Sequence, residues 1–187
     1  MVDVAREIRD AAEAKSRCLA IAAEIEHAGQ LIVAAVRRGA KVLVCGNGGS
    51  AADAQHFVAE LVGRFERDRR GVCAMALTTD SSILTAVAND SGYEQIFARQ
   101  VQAIAAPGDV LVVISTSGDS ANVVAALAAA GTLGLERIAL LGGSGGLIGR
   151  TAGVTAVRVP SDRTCRIQEA HGMVLHIWAQ LIDDALT

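Results

Sequence analysis

Apolar residues recur at helical spacing through residues 2 to about 38, and no proline interrupts them. The apolar positions are Ile8, Ala12, Leu19, Ala22, Ile25 and Ile32. This pattern predicts a helical arm or hairpin over residues 1–38. So long a helical segment cannot bury its apolar face alone, so it should pack either against a partner subunit or against its own domain.

After Gly39 the pattern changes to five short apolar runs, each followed by a polar, Gly- or Ser-rich turn and then by helical periodicity. The runs are KVLVC, VCAMAL, DVLVVIS, RIALLG and VTAVRV. Such alternation predicts parallel strands joined by right-handed helical crossovers. We therefore expect an α/β fold, a doubly wound five-stranded parallel sheet flanked by helices, with residues 1–187 forming a single domain.

Composition narrows the class of protein. Of 187 residues, 51% are hydrophobic but only 3% are aromatic, which is typical of tightly packed helices covering a buried sheet. The net charge is -3 and no basic patch stands out, so we expect no nucleic-acid partner. We also expect no membrane partner, because acidic residues interrupt the N-terminal segment where a secretory signal would be apolar.

The four cysteines lie far apart, without the CxxC spacing of a zinc ribbon or the pattern of a disulfide framework. They are Cys18, Cys45, Cys73 and Cys165. Together with the N-terminal pattern, this predicts a cytoplasmic protein with reduced thiols.

Two loops of the predicted sheet could hold a phosphate, because ligands of such folds bind beyond the carboxyl ends of the strands. In CGNGGSAAD, residues 45–53, glycines allow close approach and Ser50 with Asp53 predicts a capping box. In ISTSGDSAN, residues 114–122, four hydroxyls precede a predicted helix start. Neither loop has the Walker or GxGxxG pattern of nucleotide sites. Either alone could be an ordinary turn, but the two together favour a phosphorylated ligand.

The helix after the first loop carries His56 and Glu60, which are four residues apart and therefore share a face. Its apolar residues Phe57, Val58, Leu61 and Val62 are expected to point into the core. A single histidine is more often a core or surface residue with its hydrogen bonds satisfied than a ligand. We leave His27 and His171 in that class, because His27 lies in the helical arm and His171 has no carboxylate or loop motif to pair with.

The C-terminal run RIQEAHGMVLHIWAQLID predicts a strongly apolar helix with Gln168, Gly172 and His176 at positions i, i+4 and i+8. Gly172 leaves room for something to approach. Helical spacing aligns Glu169 with His176 somewhat better than it aligns Gln168, so spacing alone leaves open which of the two joins a site.

Four segments together resemble the sugar isomerase (SIS) fold and its phosphoheptose isomerase branch over nearly the whole chain. They are CGNGGSAADAQHFVAEL, LTTDSSILTAVANDSGY, GDVLVVISTSGDSANV and RIQEAHGMVLH, in this order. The resemblance implies an isomerase that converts sedoheptulose 7-phosphate to D-glycero-D-manno-heptose 7-phosphate through an enediol. It also implies a homotetramer with active sites between subunits.

The resemblance assigns roles to particular residues. Glu60 and His176 would be the acid/base pair, and one Zn²⁺ per subunit would be held by His56, Glu60, Gln168 and His176. The implied substrate-binding residues are Asn47, Gly48, Gly49, Ser50, Glu60, Asn89, Asp90, Ser115, Thr116, Ser117, Ser120 and Gln168. The chain departs from the family pattern at Cys165, where some members have an acidic residue, and at Ser91.

Two alternatives compete with this isomerase. Relatives with the SIS fold also serve as non-catalytic sugar-phosphate sensors or as partners of a replication initiator, and an isomerase of another sugar phosphate would use the same groups. In the initiator-associating relatives, the positions of Glu60 and His176 are not both acid/base residues. Because both are present here, the sequence favours the enzyme.

Overall fold

The computed structural model describes residues 2–187, which contain one five-stranded, all-parallel sheet with the strand order β2-β1-β3-β4-β5. The strands are β1 (Val42–Gly46), β2 (Ala74–Ala76), β3 (Val110–Ser115), β4 (Glu136–Gly142) and β5 (Thr155–Val159). Each of the five apolar runs contributes one strand, so the predicted sheet is confirmed. The edge strand β2 is only three residues long.

Seven α-helices surround the sheet. They are α1 (Val4–Arg17), α2 (Ala22–Arg37), α3 (Gly49–Val62), α4 (Ser81–Ser91), α5 (Ile96–Ile104), α6 (Ala121–Thr132) and α7 (Thr164–Leu186). Short 3-10 turns lie at Cys18–Ile21, Tyr93–Gln95 and Ile148–Arg150. The first of these turns joins α1 to α2, so the predicted N-terminal helical segment is confirmed.

The sheet separates two apolar cores, because successive side chains of a strand point to opposite faces. In β1, Val42 and Val44 pack with residues of α2, α3 and α7, whereas Leu43 and Cys45 pack with residues of α5 and α6. Every residue of β1 and β3 is buried. Burial on both faces explains why the sequences of both strands are continuous apolar runs. The helices on both faces confirm the doubly wound arrangement.

The N-terminal helical segment packs on its own chain through α2. Ile25 and Ile32 are buried in the same core as α7, and the indole N–H of Trp178 donates to the carbonyl of Ile25 at 2.9 Å. Residues 4–37 are long and apolar enough to cross a membrane by length and composition, and 33% of their apolar window is buried within the described chain. Helix α1 leaves Val4 and Ile8 exposed.

Helix α3 follows the predicted apolar pattern except at its end. Phe57 and Leu61 are buried and Val58 is partly buried against them. The prediction for Val62 is wrong, because its side chain is 51% exposed. Val62 is the last residue of α3, and the chain turns away at Gly63 before a further turn could cover it.

The helices after β1 and β3 leave the sheet on opposite faces, because α3 packs in the first core and α6 in the second. Since β1 and β3 are neighbours in the sheet, a crevice opens between their carboxyl ends. Both loops that the sequence singled out lie at this crevice, since each directly follows one of these two strands.

His171 lies fully buried on α7, where its Nε2 is 3.1 Å from the carbonyl oxygen of Leu141. Burial lowers the pKa of His171 to about 4, although the hydrogen bond to Leu141 opposes the shift. A buried imidazole of this kind stays neutral at neutral pH and resists taking up a proton as the solution becomes acidic.

We expect His171 to make the fold acid-sensitive. Between its unfolded pKa of about 6.5 and its folded pKa, only the unfolded chain binds the proton, so this group lowers the free energy of unfolding by up to about 1.4 kcal/mol per pH unit as pH falls. Above a pH of about 6.5, the titration of His171 does not change the free energy of unfolding. Urea unfolding at pH 7, 6 and 5 measures the free energy of unfolding. This free energy should fall less with decreasing pH in His171→Gln than in the wild type, and the glutamine N–H can replace the imidazole as donor to the Leu141 carbonyl. Parallel declines for the two proteins would contradict this expectation.

Candidate active site

The loop after β1 brings backbone close to the crevice at the start of α3. Gly48 has a φ of +56°, a left-handed conformation that favours glycine, and it forms the N-cap of α3 without a side-chain hydrogen bond. The predicted capping box is therefore wrong. Ser50 lies inside the helix and is 3% exposed, because the turn at Gly48 starts α3 one residue before it.

Asn47 ties the first loop to the start of α6 through a pair of amide hydrogen bonds. Its Nδ2 donates to Asn122 Oδ1 at 2.8 Å, and Asn122 Nδ2 donates back to Asn47 Oδ1 at 2.9 Å. The hydroxyl of Tyr93 donates to the same Asn47 oxygen at 3.3 Å. Sequence reasoning missed Asn122 and Tyr93. Asn122 closes the hydroxyl-rich motif, but nothing in the spacing pairs it with Asn47.

The hydroxyl-rich loop after β3 folds around its own backbone amides. The amide of Gly118 donates to Ser115 Oγ at 3.1 Å, and the amide of Asp119 donates to Ser117 Oγ at 3.2 Å. Ser120 is the N-cap of α6 and makes no side-chain cap bond, while its carbonyl accepts the amides of Val123 and Val124. The first two amides of α6, those of Ala121 and Asn122, are therefore left for an anion. The neighbouring Thr116 and Ser117 line a polar cavity of about 260 Å³.

His56, Glu60 and His176 converge from two helices that are distant in sequence. His56 Nε2 lies 3.1 Å from Glu60 Oε1 and 3.5 Å from His176 Nε2. The three ligand atoms lie within 4.8 Å of one another. The i, i+4 spacing on α3 predicts the first pair, whereas only the tertiary packing of α7 on α3 brings in His176.

Phe65 fixes the position of the His176 ring. The two rings stack with centroids 5.5 Å apart and an interplanar angle of 29°. The ring of His56 meets His176 edge-on, with centroids 5.0 Å apart. The side chain of Glu60 is 23% exposed, so a ligand can reach its carboxylate from one side. No periodic pattern marks Phe65, since it lies in the irregular segment after α3.

Gln168, rather than Glu169, faces the loops. A Cβ added to Gly49 would lie 2.9 Å from Gln168 Cδ, so the glutamine side chain rests on the backbone of the first loop. Glu169 turns away and pairs with Arg166 at 2.6 and 2.7 Å. At Gly172, an added Cβ would meet nothing within 4 Å in the described chain, so the surface between Gln168 and His176 is open.

Asn89 and Asp90 lie at the exposed end of α4, where Asn89 Nδ2 donates to Asp90 Oδ1 at 2.9 Å. Among residues 2–187, neither side chain hydrogen-bonds to the two loops. Their predicted contact with a sugar remains a prediction.

Asp53 lies on α3 one turn before His56, with Oδ2 buried and without a hydrogen-bond partner in the described part of the chain. Burial raises the pKa of Asp53, and the positive potential of a protonated His56 would oppose that shift. The local environment at the start of this helix face therefore disfavours a second negative charge beside Glu60.

The donor set of the cluster suits a divalent transition metal. Two imidazole nitrogens and one carboxylate oxygen are ligands that zinc prefers, and three protein ligands leave a coordination position free. Gln168 would have to reach across the open surface at Gly172 to join them.

Comparisons with known proteins identify the family of this chain. The family described as "SIS domain" matches residues 6–142. A phosphoheptose isomerase of Thiobacillus denitrificans is 50% identical over 169 residues, which cover 89% of this chain and 86% of that protein.

Two solved phosphoheptose isomerase structures share the fold over nearly their full length. The one from Neisseria gonorrhoeae has a TM-score of 0.91 and 42% identity, and covers 97% of both chains. The one from Francisella tularensis has a TM-score of 0.93 and 39% identity, covering 98% of this chain and 100% of that one. The chain therefore belongs to the SIS domain family and, within it, to the phosphoheptose isomerases.

Proposed function

We propose that this protein is an aldose-ketose isomerase that converts sedoheptulose 7-phosphate to D-glycero-D-manno-heptose 7-phosphate. The observation that carries the proposal is the convergence of Glu60 and His176, which places a carboxylate and an imidazole together beside a surface open to a ligand. A non-catalytic sugar-phosphate sensor would need no such proton-transfer pair. The similarity to phosphoheptose isomerases supports the same conclusion.

The reaction needs two proton handlers. Glu60 removes the proton from C1 of the ketose, which gives an enediol, and the proton returns to C2 to give the aldose. His176 moves protons between the oxygens on C1 and C2, which an imidazole does well because its ring nitrogens can both accept and donate a proton. Phe65 holds the His176 ring in one orientation, so the imidazole does not have to be ordered during the reaction.

The hydroxyl-rich loop binds the phosphate at the other end of the substrate. Ser115, Thr116, Ser117 and Ser120 supply neutral donors together with the first amides of α6, and a phosphate needs no lysine in such a site. The amide pair between Asn47 and Asn122 fixes the first loop relative to the second. Binding energy from the phosphate end is thereby used to orient the reacting carbons.

We further propose one Zn²⁺ per subunit, held by His56, Glu60 and His176 with Gln168 as the fourth ligand. Such an ion would polarise the carbonyl and stabilise negative charge on the enediol oxygen. A carboxylate bound to zinc is a weaker base than a free one, so Glu60 would have to leave the metal in order to accept a proton.

We also propose that the protein is a homotetramer in the cytoplasm, and an exposed apolar groove supports a contact between subunits. An apolar groove of about 330 Å³ runs between the α1–α2 turn and α7, and Leu19 and Ile177 on its rim are exposed. Exposed apolar grooves of this kind are typical of subunit contacts. The free thiols of Cys73 and Cys165 are exposed, as suits a reducing compartment.

Incubation of the purified protein with sedoheptulose 7-phosphate, followed by NMR, tests the proposed reaction. We expect the aldose heptose 7-phosphate to form, and a chelator to slow its formation if zinc takes part. Pentulose and hexulose phosphates serve as competing substrates and should react more slowly. Absence of product with every sugar phosphate, with and without added zinc, would favour a binding protein instead.

A further inference from the structure

A fully buried ion pair joins the segment after α3 to the end of α7. The side chains of Arg69 and Asp183 are 1% and 0% exposed, and Arg69 Nε donates to Asp183 Oδ1. Neither residue belongs to the loops or to the cluster described above. Asp183 is two helical turns, or about 10.5 Å, beyond His176 on α7.

Arg69 binds the backbone of the catalytic carboxylate residue itself. Its Nη2 donates to the carbonyl of Glu60 at 2.8 Å, and its Nη1 donates to the carbonyl of Leu61 at 2.9 Å. These are carbonyls of the last turn of α3, which have no partner further along the helix. The guanidinium therefore fixes the end of α3 that carries Glu60.

Asp183 binds the backbone of the segment that carries Phe65. Its Oδ2 accepts hydrogen bonds from the amides of Glu66 and Arg67 at 2.9 and 3.0 Å. These amides directly follow Phe65, which stacks on His176. One carboxylate on α7 thus sets both the position of Arg69 and the position of the aromatic ring that holds the imidazole.

We propose that Arg69 and Asp183 are positioning residues for the isomerisation, an inference that rests on the proposed function. Their pair sets the distance between Glu60 and His176 by tying α3, the segment after it and α7 to one point. A buried ion pair often adds little to stability compared with apolar side chains of similar volume. The backbone hydrogen bonds of this pair do stabilise the fold, so the test measures kcat separately from stability. A displacement of about 1 Å between catalytic groups can cost 10²-fold in rate.

The neighbouring exposed pair offers a matched control. Arg67 and Asp184 join the same two segments at 3.1 Å, but their side chains are 54% and 51% exposed. Exposed pairs of this kind contribute little. Asp184→Asn therefore makes the same chemical change one residue away without touching the backbone of α3.

The test compares Asp183→Asn, Asp184→Asn and the double variant Arg69→Met/Asp183→Leu in steady-state kinetics, thermal unfolding and imidazole ¹H–¹⁵N NMR. We expect Asp183→Asn to lower kcat by about 100-fold with KM little changed, and to shift the His56 and His176 signals. Asp184→Asn should match the wild type. The double variant also leaves the amides of Glu66 and Arg67 and the carbonyls of Glu60 and Leu61 without these partners, so it should be less stable than the wild type and should not regain its kcat.

Three results would overturn the proposal. The first is an unchanged kcat in Asp183→Asn, and the second is a double variant with the kcat of the wild type. The third is a failure of both variants to fold, which would make the pair a requirement for folding only. If the wild-type protein isomerises no sugar phosphate, the proposed function fails, whereas the imidazole signals still report whether the pair positions the cluster.

Discussion

Replacing Glu60 by glutamine is expected to lower kcat by about 10²- to 10⁴-fold, the usual contribution of a general acid or base. The amide keeps the shape of the side chain and can still donate to His56, but it cannot accept the C1 proton. The phosphate loop is untouched, so the variant should still bind sedoheptulose 7-phosphate. Steady-state kinetics by NMR and isothermal calorimetry would measure the two effects separately.

Glu24→Gln is the matched control for this prediction. Glu24 is exposed on α2, so Glu24→Gln makes the same chemical change away from α3. The kcat of this variant should equal that of the wild type. A Glu60→Gln variant that turns over at a rate close to the wild type would remove Glu60 from the chemistry. Loss of sugar-phosphate binding together with activity would instead indicate a role in holding the substrate or a metal.

The second large effect is expected at Gly118, which shapes the hydroxyl-rich loop. Its φ is +73°, and an added Cβ would lie 3.0 Å from the backbone nitrogen of Gly146 and 2.5 Å from the carbonyl carbon of Gly145. Gly118→Ala must therefore move one loop against another. Losing one hydrogen bond to the charged phosphate costs about 1.5–3 kcal/mol, so we expect KM to rise by about 10- to 100-fold.

Gly108→Ala separates backbone strain from displacement of the loop. Gly108 also has a positive φ of +89°, but its added Cβ would meet nothing within 4 Å of the described chain. Both variants should lose about 1–2 kcal/mol of stability from the left-handed conformation, and Gly118→Ala should lose about 1–3 kcal/mol more from overpacking. Urea unfolding measures both losses.

An unchanged KM in Gly118→Ala would show that this loop does not bind the phosphate.

Local sequence patterns predicted the architecture because each strand and helix carries its own periodicity. Val110 to Ile114 read as a buried strand since every residue of β3 is covered on both faces. The pair of His56 and Glu60 was predictable for the same reason, as four-residue spacing places two side chains on one helix face.

The rest of the site depends on contacts between distant segments, which no local pattern encodes. Spacing favoured Glu169 over Gln168, but Arg166 pairs with Glu169 and Gln168 rests on Gly49. The capping box failed because a left-handed glycine, rather than a serine side chain, starts α3. The Arg69–Asp183 pair spans 114 residues and has no signature in either segment.

A crystal structure of Glu60→Gln with sedoheptulose 7-phosphate would show whether residue 60 and His176 reach the reacting carbons, because the variant should hold the substrate without converting it. We predict the phosphate on the loop of Ser115–Ser120, with C1 and C2 within hydrogen-bonding reach of residue 60 and His176 of the same or a neighbouring subunit. If C1 and C2 of the bound ketose lie away from both side chains in every subunit, Glu60 and His176 are not the acid/base pair.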